Sequence, residues 1–230
     1  MRNTKVSIDV WDIWVRLFHW GLVAAVLLSF YTTKTSGVPF LFPVDVHAQA
    51  GYIVLGLLVF RWLWGVLGSV YARFSTFLYS PNTALSYAKT LLKRQSNAYA
   101  SHNPLGGWMV LLLLLSLSFQ AVSGLFLSDD IFFQGPLYGL FGQDVSSQFR
   151  TLHYLNSDLL MILIGLHLLG VVVHRLLGES LVVAMLNGTK YFYQQPMDAR
   201  SEELNHATLR LRAIGVSLIA IGIVLWLLFS

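Results

Sequence analysis

Histidine is the residue type in this chain whose number and spacing point to chemistry. There are 7: His19, His47, His102, His153, His167, His174 and His206. All but His102 and His206 fall in or at the edge of long apolar stretches. An ionisable ring in hydrocarbon is costly, so it marks a site by default. For any one of them alone, a hydrogen-bonded packing role is the competing reading; several at matching depths favour a site. Neutral imidazole is a common ligand of metals and of haem iron. The chain has no cysteine. That excludes disulfides, thiolate-bound zinc or iron–sulfur clusters, and haem attached through C-x-x-C-H.

These histidines must be positioned by elements suited to a bilayer. Hydrophobic residues make up 56% of the 230 and charged residues 11%, against a usual charged share of about 25%, which rules out a soluble globule. Crossing a bilayer takes roughly 20 apolar residues. Five stretches qualify, near Val15–Tyr31, His47–Leu67, Gly106–Leu127, Leu152–Leu177 and Ala213–Phe229. They are continuous and Leu-rich, which predicts helices rather than the alternating strands of a barrel. Asp9, Asp12, Arg16 and His19 precede or enter the first stretch and no small-x-small cleavage site follows, so it reads as a retained helix rather than a signal peptide. The fold class expected is an all-α membrane protein, a transmembrane helical bundle whose fifth helix is C-terminal. Residues 1–230 form one membrane domain, with the core at 1–178, a connector at 179–210 and the fifth helix at 211–230.

Thirteen of the 15 lysines and arginines fall on one side of this topology; only Lys34 and Arg150 fall on the other. By the positive-inside rule the N-terminus is cytoplasmic and the C-terminus lies outside, in the periplasm if the membrane is a bacterial inner membrane. The net charge of +4 reports this asymmetry and not nucleic-acid binding. Ser80–Ala100 reads as an amphipathic helix on the inner surface or as a plain connector. Glu179–His206 is the most polar stretch and a candidate contact for a cytoplasmic partner.

Depth then sorts the histidines. His19 lies about one turn into a span running inside to outside, near the inner face. His47 begins the second span at the outer face, and His153 begins the fourth at the same level. His167 follows His153 by fourteen residues, about 21 Å of helix rise and nearly four full turns, so the two share one helix face. His47 and His153 therefore match at the outer level, and His19 and His167 at the inner level. Each pair comes from two helices, which suits two haems, each held with a histidine on either side of its iron. Zinc or di-iron would want more converging ligands, often carboxylates, and no Asp or Glu lies deep in the spans; Asp158 is the nearest.

Small residues surround these positions: Gly51, Gly165, Gly170, Ser116, Ser118, Ser123 and Gly124. They would let a flat macrocycle approach the backbone, or serve helix packing. Arg16 and Arg61 lie at the inner level and are candidate partners of inner-haem propionates, with Arg175 or His174 assisting; Arg150, one turn before His153, is the outer counterpart. Anchoring at headgroups is the competing reading for Arg16 and Arg61. Trp11, Trp14, Trp20, Trp62 and Trp64 cluster near the inner interface, as an aromatic belt or as the lining of a quinone pocket.

The segments V-W-D-I-W-V-R-L-F-H-W at Val10–Trp20, H-A-Q-A-G-Y-I-V-L-G-L-L-V-F-R-W-L-W-G at His47–Gly65, H-N-P-L-G-G-W at His102–Trp108, and the His153/His167 pair together resemble the bacterial cytochrome b561 proteins, which include the b-type cytochrome subunits of nickel–iron hydrogenases. The resemblance covers roughly Val10 to Lys190. It implies a four-helix core with two non-covalent, bis-histidine haems b, ligated by His19, His47, His153 and His167. It also implies electron transfer between membrane quinone (ubiquinone or menaquinone) and a periplasmic partner, a c-type cytochrome or a hydrogenase. The alternative it carries is a superoxide:quinone oxidoreductase acting at the outer haem. The fifth span departs from the compact members of the family.

Overall fold

The computed structural model of the chain describes residues 6–34, 43–93, 98–131, 133–202 and 204–229. Arg2, Lys5 and Arg94 of the cation count lie outside these residues, as does the side chain of Lys34. In chain order the elements are β1 (Val6–Asp9), α1 (Ile13–Lys34), α2 (Pro43–Leu67), α3 (Phe74–Phe77), α4 (Pro81–Leu92), α5 (Pro104–Gly124), α6 (Gln143–Leu176), α7 (Leu181–Asn187), β2 (Thr189–Phe192) and α8 (His206–Phe229). Among the described residues five helices, α1, α2, α5, α6 and α8, are long and apolar enough to cross a membrane. The surface stretch anticipated at Ser80–Ala100 is helical over Pro81–Leu92.

Helix ends follow local chemistry. Asp12 Oδ1 accepts from Val15 N at 2.9 Å and caps α1; Asn103 Oδ1 accepts from Gly106 N at 2.8 Å and caps α5; Asn205 Oδ1 accepts from Thr208 N at 2.8 Å and caps α8. A side-chain oxygen at this position satisfies an amide that the helix cannot. Prolines at the start of α4 and α5 cost nothing there, since a first-turn N–H has no helical partner. The fourth span starts nine residues before the apolar stretch does, because Gln143–Thr151 is polar yet helical. Its 34 residues amount to about 51 Å of rise, more than the roughly 30 Å of hydrocarbon.

Two compact units are formed, one from residues 1–17, 62–112 and 163–215, the other from 18–61, 113–162 and 216–230. The first contains a feature the hydropathy pattern does not announce: β1 pairs antiparallel with β2, Val6 opposite Phe192 and Asp9 opposite Thr189. Gly188, at φ +91°, ends α7 and offers its carbonyl to Val10 N and Trp11 N. A side chain there would need the left-handed conformation and would press on the Trp11 carbonyl, so glycine is required. Part of the polar connector is held within this unit by hydrogen bonds. The Asp198 carboxylate accepts from Ala100 N and Ser101 N, the Tyr71 hydroxyl bridges the Arg200 carbonyl and amide, and Glu202 takes Val70 N and Arg73. Trp64, Phe77 and Ala100 are fully buried here.

The second unit is built on apolar packing. Leu125, Phe126 and Leu227 form its core, with Tyr52, Leu55, Leu137, Phe149 and Ile223 against them. α8 comes close to α2 at Gly56, where a Cβ would overlap Val224 and crowd the Ala220 carbonyl. Asn156 bonds Ser116 and Gln120, so a polar side chain in the span is satisfied by the facing helix.

Candidate haem sites

The second unit brings two of the expected ligands together. The rings of His47 on α2 and His153 on α6 lie with centroids 6.4 Å apart and planes at 74°. Each is oriented through Nδ1. His47 Nδ1 stands 3.0 Å from the Ser29 carbonyl oxygen and 3.2 Å from Thr32 Oγ1. A carbonyl only accepts, so Nδ1 carries the ring proton. His153 Nδ1 stands 2.9 Å from Ser123 Oγ. The Ser123 hydroxyl donates its own hydrogen to the Gln120 carbonyl at 3.0 Å, so its lone pair faces the ring and again Nδ1 holds the proton. Both rings keep their lone pair on Nε2. Fixing the tautomer through the nitrogen that does not bind metal is the usual support for a histidine ligand.

The donor set fits a haem. Imidazole on either side of a first-row metal, at about 2 Å per metal–nitrogen bond, puts ring centres about 6 Å apart, close to the spacing present. A Cβ at Gly51, one turn after His47, would meet nothing within 4 Å, and one at Gly124 would lie 3.4 Å from His153 Cε1. Bulkier residues would fill the space beside both rings. Haem supplies a one-electron couple when bound between such ligands.

His19 and His167 fall in different units, and each is described within its own. His19, half-buried on α1, meets the edge of Trp20, with centroids 5.1 Å apart. His167 is half-buried on α6, and neither Gly165 nor Gly170 has a neighbour that a Cβ would touch. Arg61 is only 3% exposed within α2. A guanidinium at that depth is costly to bury unless it is paired. Arg16 Nη1 donates to the Leu186 carbonyl at 2.6 Å. Arg150 Nη2 donates to the Ser128 carbonyl at 2.7 Å and lies 3.4 Å from Asp130 Oδ2, beside a polar cavity of about 300 Å³ that also touches Tyr138 and Gln143.

The structure adds residues that spacing alone does not reveal. Ser29, Thr32 and Ser123 orient the rings. Asp12 does more than cap α1: its Oδ2 also accepts from Trp64 Nε1 at 3.0 Å and from Ser69 Oγ, tying the start of the helix that carries His19 to the end of the helix that carries His47. The tryptophans divide accordingly. Trp20 is exposed, but Trp64 and Trp11 are buried, Trp64 as a donor to Asp12, so a belt at the interface describes only part of the cluster. His102 lies between the Phe77 and Trp11 rings, at 4.7 and 6.0 Å. His174 bonds Asn103 and Glu179.

The sequence profile described as prokaryotic cytochrome b561 matches residues 10–188. A protein of Rhizobium leguminosarum bv. viciae, named a probable Ni/Fe-hydrogenase B-type cytochrome subunit, is 26% identical over 218 residues, covering 82% of this chain and 90% of its own. No solved structure matches significantly. With a profile match over most of its length and five apolar helices, the chain belongs to the prokaryotic cytochrome b561 family and is a membrane b-type cytochrome of electron transport.

Proposed function

We propose that this cytochrome holds two haems b, one between His47 and His153 near the outer face and one between His19 and His167 near the inner face. It passes electrons between the quinone pool and a redox partner at the periplasmic face of a bacterial inner membrane. The relative's name makes a hydrogenase the first candidate for that partner, with a c-type cytochrome as the other. The observation that carries the reading is the His47/His153 pair at 6.4 Å, with both Nδ1 protons engaged and both Nε2 lone pairs available. The protein's work is positional. Ser29, Thr32 and Ser123 hold the rings, and their hydrogen bonds make the imidazoles better donors to iron. Apolar neighbours keep water away, and Arg16 and Arg61 are the candidate partners of the inner propionates.

The Arg150 charge is offset by Asp130 at 3.4 Å and by the Ser128 carbonyl. That pairing weakens steering of an anion such as superoxide to the outer haem, so it favours the relay over the superoxide:quinone oxidoreductase. The deciding experiment is a dithionite-reduced minus oxidised spectrum of the pure protein with haem quantification. Two haems per chain are expected, one remaining in His153→Ala and a spectrally different one in His19→Ala. Two haems retained in both variants would refute the ligand assignment.

A further inference from the structure

Seven residues beyond His167, about 10 Å further along α6 and on nearly the same face, His174 is buried at 7% exposure in a chain of polar groups that electron transfer alone does not need. Asn103 Nδ2 lies 2.9 Å from His174 Nε2. Its Oδ1 is occupied by Gly106 N, so the amide donates to Nε2 and the ring proton sits on Nδ1. Nδ1 faces Glu179 Oε1 at 3.2 Å, and Glu179 Oε2 faces Lys190 Nζ at 3.5 Å. Lys190, on β2 and 8% exposed, also donates to the Tyr99 carbonyl at 2.8 Å. Asp198 acts on Lys190 from the connector, and Arg175 is turned to the Ser180 hydroxyl at 2.8 Å. Buried ionic chains seldom stabilise more than apolar packing of the same volume, so this one suggests a role beyond closing the unit.

We propose that His174 takes up a proton when the haem held by His167 is reduced. The step balances: one electron from the reductant feeding the relay converts ferric to ferrous iron, and one proton from bulk water binds His174 Nε2. Asn103 turns its amide so that Oδ1 accepts the new N–H and releases Gly106 N. The added electron would lower the charge on the iron that His167 would hold, and His167 is about 10 Å of helix rise from His174, within reach of a Coulomb interaction in a buried setting. The Glu179 carboxylate stabilises the imidazolium, and an imidazole is the side chain suited to change charge between about pH 5 and 8. The inference rests on the inner-haem reading above.

Potentiometric titration of the purified two-haem protein between about pH 5 and 8 tests it. The component that disappears in His167→Ala is expected to fall in midpoint potential as pH rises, approaching the 59 mV that a tenfold change in proton activity gives a one-electron couple. The other component stays flat. His174→Gln, which keeps a neutral hydrogen-bonding group, flattens the slope, and Glu179→Gln moves it to lower pH. A flat wild-type potential, or a slope unchanged in His174→Gln, overturns the proposal. If His174→Gln does not fold, a slope unmoved in Glu179→Gln overturns it equally. A purely structural network would lower the melting temperature of both variants and leave the slope intact. One haem per chain, unaltered in His167→Ala, would instead remove the inner-haem reading itself.

Discussion

At the scale of single residues, the chemistry depends on which ring nitrogen keeps a lone pair. Ser123 is fully buried and relays the Gln120 carbonyl to His153 Nδ1. Ser123→Ala leaves a buried N–H with a lost acceptor, at about 1–3 kcal/mol, and frees the ring to turn. Support of this kind commonly changes metal affinity by about 10- to 100-fold. The expected result is a lowered haem content at the His47/His153 site, with a shifted midpoint potential and an unchanged second haem. Haem quantification during dilution in detergent, with apomyoglobin as acceptor, measures it; equal retention by wild type and variant would deny Ser123 its orienting role. The four ligand candidates were legible because fourteen residues is a near-whole number of helical turns, so spacing alone puts His153 and His167 on one face. Ser29, Thr32 and Ser123 were not. Hydroxyls in apolar helices routinely bond a preceding carbonyl, as Thr32 does with Ser29 at 2.7 Å, and nothing local distinguishes the ones that also receive an imidazole proton.

At the scale of elements, hydropathy finds what is buried in lipid and overlooks what is held by polar contacts. The five spans were readable because each is a continuous apolar run. The first turns of α6 were not, since Gln143–Thr151 is polar. The β1·β2 pair was hidden for a different reason. Four-residue strands carry little pattern, and Asp9 and Thr189 meet across 180 positions through a side-chain hydrogen bond of 2.8 Å. The fifth helix is a packed element rather than a tether. Gly56 follows His47 by nine residues, about half a turn round α2, so α8 leans on the side of α2 opposite His47. Gly56→Leu introduces bulk where Val224 and the Ala220 carbonyl already sit, an overpacking cost of about 1–3 kcal/mol. A lower melting temperature and a broadened spectrum of the His47/His153 haem are expected. Full stability with an unaltered spectrum would mean that α8 does not brace α2.

At the scale of the whole molecule, α6 is one continuous helix carrying both His153 and His167, so a haem at each would be separated by about 21 Å of rise, most of the roughly 30 Å apolar layer. Porphyrin rings would reach out from each iron and shorten the gap that an electron must tunnel. Neither haem alone would span the layer, so the proposed function requires both in series. In sealed vesicles with ferricyanide trapped inside and dithionite added outside, the wild-type protein is expected to bleach the internal ferricyanide on mixing. His19→Ala and His153→Ala, each retaining one haem, should slow bleaching by orders of magnitude toward protein-free leakage. Each variant's remaining haem must still be reducible in detergent, which separates a broken relay from an unfolded protein. Bleaching by either variant at the wild-type rate would mean that electrons do not pass from one haem to the other.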